Sequence, residues 1–127
     1  MPVRITWYEP NHIILYNLTD PLSLQDLEAG AEEVWALAAG VPSLVDMILD
    51  YRGVTEFPRG TLPLMRDGSF RLPTLERVAL VGSEPLVEMM FATIMQSTYR
   101  PDPTVHHSVE DAADFLRRMA REDGTRA

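Results

Sequence analysis

Asp46 and Asp50 stand four residues apart within an apolar run, LVDMILDYRGV over 44–54, and are the one pair of carboxylates whose spacing suggests a common environment. On a strand, residues four apart project from the same face, and general acid–base chemistry needs two such groups in a cleft with a substrate-facing partner. No nucleophile, base and orienting group accompany them, so the pair reads as structural or interfacial, and Asp46 inside an apolar run suggests an Arg partner, a hydrogen bond to backbone or one edge-exposed sheet face. Ser83 sits in GSEP, which lacks the glycine spacing of a nucleophile elbow, and reads as the N-cap of a following helix. His106 and His107 are neighbours, which on a strand point to opposite faces, and His12 is remote in sequence, so no metal site is expected. One of the two should lie against the sheet and the other face solvent, with either able to titrate near neutral pH. Arg59, Gly60 and Thr61 open a weak helix, where an arginine beside free backbone N–H groups favours an anion: a carboxylate, a phosphate or an acidic side chain of a partner. The plainer alternative pairs Arg59 with Glu56 or leaves it in water.

Composition narrows the chemistry further. The chain has 127 residues, 46% of them hydrophobic, which suits one core, expected over residues 1–120 with a frayed tail at 121–127. There is no cysteine, which excludes disulfides, thiolate nucleophiles and Cys-based metal sites, and makes the cytoplasm the expected compartment. All 11 basic residues are arginine, so Schiff-base and P-loop lysines are excluded as well. A net charge of −8 disfavours nucleic acid and anionic membrane surfaces unless a local Arg patch outweighs it. No apolar run approaches the roughly 20 residues of a membrane helix, so membrane insertion is not expected. No cofactor is expected either.

The elements that must position these residues follow from periodicity. Val3 to Tyr8 alternates as a half-buried strand, Glu9-Pro10-Asn11-His12 turns, and Ile13 to Leu18 returns, so the chain opens with a hairpin. Ser23 with Asp26 forms a capping box before Leu24, Leu27, Ala31, Val34, Trp35 and Ala38 at helical spacing. The run over 44–50 is a buried strand, expected between strands near Val78 and Val105, and a short helix around Gly60 to Arg66 should end at Asp67-Gly68. Arg77 to Val81 is another buried strand. A helix over 85–98 then carries the stripe Leu86, Met90, Phe91, Ile94 and Met95. Thr104 to His107 is a last strand, and Ser108 caps a helix through Met119. This alternation demands right-handed crossovers and a mostly parallel sheet.

The order of elements, the strand VDMILDYRGV, the strand VALVGS and the ending VHHSVEDAADFLRRM resemble the STAS domains of anti-sigma-factor antagonists and their SpoIIAA-like relatives, from Val3 to Met119. The resemblance implies an α/β fold with a mixed sheet of about five strands, an N-terminal hairpin and three to four helices mainly on one face. It also implies a non-enzymatic interaction module, and some SpoIIAA-like proteins resemble lipid-carrier domains in fold. Asp50, Gly53 and Val54 match the first part of the family's phosphorylation pattern. Its serine position falls on Arg59 and the neighbouring position on Gly60, while Thr61 takes the place of the glycine, so the usual phosphorylatable serine is absent.

Seven methionines, three of them on the helix over 85–98, suit an adaptable pocket or binding groove or, more plainly, core filler, and Val87 and Met89 fall off that helix's main stripe. With Met90 they are the expected interface, while Asp50, Arg59, Gly60, Thr61 and Ser83 are the expected ligand or partner contacts. The sequence therefore points to a regulatory, homo-oligomeric interaction module, in the simplest case a homodimer. A carrier of a small apolar or lipid-like ligand is the alternative, and a small enzyme the second.

Overall fold

The computed structural model describes residues 2–123. Its elements are β1 (Val3–Glu9), β2 (Ile13–Thr19), α1 (Leu24–Ala38), β3 (Val45–Gly53), α2 (Thr61–Asp67), a 3-10 turn (Ser69–Arg71), β4 (Leu75–Val81), α3 (Pro85–Ser97), β5 (Thr104–His106) and α4 (Val109–Glu122). The five strands lie in the order β1-β2-β3-β4-β5, with β1 antiparallel to β2 and every other pair parallel. The hairpin turns at Pro10-Asn11, where Asn11 takes a φ of 66° and the His12 N–H donates to the Glu9 carbonyl at 3.0 Å. A positive φ at the third turn position suits Asn, whose short polar side chain tolerates the left-handed region.

Strand order decides where the helices go. Three successive crossovers all step in the same direction across the sheet, and a right-handed connection then places each helix on the same side. Accordingly α1, α2 and α3 pack on one face, where Leu27, Val34, Met65, Phe91 and Ile94 meet Met47, Leu49 and Leu80. The last described helix, α4, covers the other face, where Ala112, Ala113 and Leu116 rest on Ile13, Ile48, Ala79 and Val81. Alanines on both partners let the helix approach closely. Along β3 the period of two sends Val45, Met47, Leu49 and Tyr51 toward α1–α3, and Asp46, Ile48 and Asp50 toward α4.

That arrangement matches the expected mixed sheet with its hairpin, helices mainly on one face and buried central strand. Several details differ. The strand near Val105 does not flank β3: β3 lies between β2 and β4, and β5 pairs only with β4, at the rim. Ser83 does not cap α3. Pro85 stands at the first helical position, which makes Glu84 the N-cap, and no side chain closes that end. Leu86, in the first turn of α3, is exposed and Val87 packs against the core in its place, while Met90, Phe91, Ile94 and Met95 face the core as the expected stripe has them. Trp35 is also half exposed, its Nε1–H donating to the Gly68 carbonyl at 3.1 Å. Finally, α4 continues through Arg121 and Glu122, beyond Met119 and into the expected tail; Gly124–Ala127 lie outside the described residues. No helix among the described residues is long and apolar enough to cross a membrane.

Candidate functional site

Parallel strands bring their carboxyl ends to one edge, where open α/β sheets present loops around a crevice. Here that edge holds a cavity of about 290 Å³ lined by Tyr51, Arg52, Gly82, Ser83, Glu84, His106 and His107, with Val54. Each comes from a strand end or the residues just after it: β3 supplies Tyr51 and Arg52, β4 leads into Gly82–Glu84, and β5 ends in His106. The adjacent histidines thus share one crevice although they leave the strand in succession, because β5 stops at His106 and the alternation of a strand no longer governs His107.

Asp50 sits just beneath, with 5% exposure. Its carboxylate accepts the Arg52 Nε–H and Nη2–H at 3.0 and 2.8 Å and the Arg52 backbone N–H at 3.1 Å. Burial alone would push the Asp50 carboxyl up, but the hydrogen bonds and charge of Arg52 outweigh it and hold the group below the usual carboxylate range. Asp46, four residues earlier, is fully buried and serves a different need. The β3–β4 register slips between Val45 and Met47, and the Asp46 carboxylate accepts the Arg77 backbone N–H at 3.1 Å within that slip. The two aspartates therefore share a face but not a site: each has its own donors, and Ile48 lies between them.

Tyr51 is buried, and its hydroxyl accepts the Glu84 N–H at 3.1 Å; burial pushes the phenol up, and that hydrogen bond offsets part of the effect. His106 packs its ring on Phe115 of α4, 5.1 Å between centroids, and its Nε2 meets the Thr104 hydroxyl at 2.8 Å. Burial lowers its pKa, and Asp111 partly restores it. Ser83 is exposed and, among the described residues, hydrogen-bonds neither histidine. No group of three His, Cys, Asp or Glu side chains suited to a metal ion occurs among the described residues.

Arg59, Gly60 and Thr61 lie apart from this crevice. The Thr61 side chain is buried and its hydroxyl donates to the Pro58 carbonyl at 2.6 Å, which turns the one nearby hydroxyl away from solvent. Gly60, at φ 90°, lines a groove between α1 and α2 with Glu28, Glu32 and Asp67, and Arg59 is exposed. The N–H groups expected to be free beside Arg59 are in part used, since Thr61 donates to Pro58 and Leu64 to Gly60.

A second surface lies on the outer side of α3. Leu86, Met89 and Val105 are exposed by 73%, 66% and 44%, beside a groove lined by Pro85, Glu88, Met89, Ala92, Asp102, Pro103 and Val105. Of the expected interface residues only Met89 belongs to it. Leu86 and Val105 were missed because the cover over the first turn of α3 and the rim position of β5 are tertiary facts. The crevice residues Tyr51, Arg52, His106 and His107 had a usable signal: each stands at or just beyond the carboxyl end of a strand expected to be parallel. No protein-family model and no curated protein matches the chain.

Proposed function

We propose that this chain is a non-enzymatic, STAS-like interaction module that acts by presenting a surface to a partner protein. The observation that carries this reading is the cluster of exposed apolar side chains at one rim of the sheet, Leu86, Met89 and Val105, beside a core that is otherwise well filled. Exposed apolar side chains gathered on one surface of a small domain mark a contact site more often than scattered ones do. The order of elements and the single opposing helix α4 support the resemblance to STAS domains. A regulatory role and a cytoplasmic setting are part of the same reading, and the buried Thr61 hydroxyl favours control by binding over control by phosphorylation.

Two other readings have less behind them. The space beneath α3 is occupied by Phe57, Phe70 and Phe91, packed with centroids 5.6 to 6.3 Å apart, which leaves little room for a carried apolar ligand. In the polar crevice Arg52 is engaged by Asp50 and Tyr51 by Glu84, an arrangement suited to holding strand ends together. Native mass spectrometry of the gently purified protein, together with a turnover screen against ester, phosphate and glycoside probes, tests the proposal. A bare polypeptide mass and no turnover above background are expected. A retained lipid, or a turnover lost on Ser83→Ala, overturns the reading.

A further inference from the structure

We propose that the rim formed by α3 and β5 binds an extended partner segment that combines apolar and basic side chains and adds to the sheet beside β5. This deepens the interaction-module reading and rests on it. The sheet ends at β5, whose outer edge pairs with no further strand among the described residues. An unpaired edge is a template for an incoming strand. Beside it runs a groove of about 340 Å³ whose apolar wall is made by Met89, Ala92, Val105 and the two prolines Pro85 and Pro103. Side chains on one face of an added strand would enter this groove.

Charge selects the occupant. The charged residues lining the groove are Glu88 and Asp102, and no basic residue lines it. Asp102 accepts a hydrogen bond from the Gln96 amide at one oxygen, a neutral contact that leaves its charge in place. A second copy would bring Glu88 and Asp102 against an identical pair, and each chain carries −8 overall, so self-association at this rim is opposed both locally and at long range. A segment with Lys or Arg between its apolar residues meets both requirements. Because β5 is only three residues long, main-chain pairing is limited, and the groove contacts and charges must carry most of the affinity.

The test is selection of a displayed library of random segments of roughly ten residues, the length of a long strand, against the full chain. Recovered segments are expected to be net positive with apolar residues at alternate positions, and to weaken by about tenfold, one contact's worth, on Met89→Arg, an exposed site at which an unchanged circular dichroism spectrum is the expected control. They should weaken as salt rises, and the double variant Glu88→Lys/Asp102→Lys should recover acidic segments instead. Recovery of neutral or acidic segments by the unmodified chain, or of segments indifferent to Met89→Arg, overturns the proposal while leaving an interaction module that works through another face. A dimer seen by light scattering and abolished by Met89→Arg makes the occupant a second copy and overturns it. Recovery of nothing above background at any face overturns both this assignment and the reading it rests on.

Discussion

The ring of Tyr51 occupies the space that a side chain at Gly82 would need: a Cβ there would stand 2.6 Å from the Tyr51 Cε2. The same tyrosine accepts the Glu84 N–H, so one residue at the end of β3 fastens the turn that leads from β4 into α3. Glycine at 82 is required by this close approach and not by its own backbone angles.

Gly82→Ala should therefore displace the Tyr51 ring and destabilise the fold by about 1–3 kcal/mol, the usual cost of overpacking. Tyr51→Phe, which keeps the ring and loses one hydrogen bond, should cost about 1 kcal/mol. Urea denaturation of both variants measures the difference. An alanine at 82 that leaves the midpoint unchanged would show that the ring does not fill this space.

Asp50 ties Arg52 to the end of β3. Replacing it by asparagine removes the charge that holds the Arg52 guanidinium, and because that side chain is half exposed and water can take its donors, a loss of about 1 kcal/mol or less at neutral pH is expected. Because the folded carboxyl lies below its ordinary 3.8, its contribution is present above that value and disappears as pH falls through the folded pKa. Acid titration of stability should show a shallower loss below about pH 4 in Asp50→Asn than in the parent. Superimposable acid limbs would remove Asp50 from this role.

His106 works in the opposite sense to a histidine that gains an acidic partner. Its folded pKa lies below the ordinary 6.5 because burial against Phe115 disfavours the imidazolium. The unfolded chain then binds the proton first, so stability from this group is complete above about pH 6.5 and declines as pH falls from there to the folded pKa. Thermal melts at a series of pH values should show this decline, and His106→Gln should flatten it. A melt that instead gains stability on acidification through pH 6.5 would contradict the burial argument.

Tyr99 ends α3 in the left-handed region, with φ 60° and its ring 98% exposed. The Arg100 N–H bonds the Met95 carbonyl at 2.9 Å and the Tyr99 N–H the Gln96 carbonyl at 3.2 Å, the double closure in which glycine is the favoured residue. Tyr99→Gly should stabilise by about 0.5–1 kcal/mol, since it relieves the strain and removes no packing. The melting temperature checks this. A fall on substitution would mean that the ring makes contacts worth more than the strain.

Local pattern made much of this fold legible. The Ser23–Asp26 capping box closes as its residue types require, with both reciprocal bonds formed. The apolar run ending at Asp50 is the buried third strand, and Asp67-Gly68 ends α2 as expected. The site was less legible. Asp46 and Asp50 do share a face, yet each found a separate donor: Arg52 lies two residues from Asp50 on the same strand, whereas the Arg77 N–H reaches Asp46 through the slip in the β3–β4 register, which pairing sets and spacing does not. Leu86 and Val87 exchanged roles in the first turn of α3, while Met90, Phe91, Ile94 and Met95 kept the expected face, because the sheet decides which apolar residue at the helix end is covered.

Residue order by itself determined which stretches are strands and helices, the hairpin, the parallel crossovers and the chemistry excluded by a chain without cysteine or lysine. These rest on neighbours within a few residues, where sterics, caps and alternation act directly. Only the tertiary structure decided that β5 lies at the rim, that Arg52, Ser83 and the two histidines meet at one crevice, and that Leu86, Met89 and Val105 stand exposed together. Strand adjacency and the cover over a helix end are settled by burial summed over distant parts of the chain, and no short segment carries that sum.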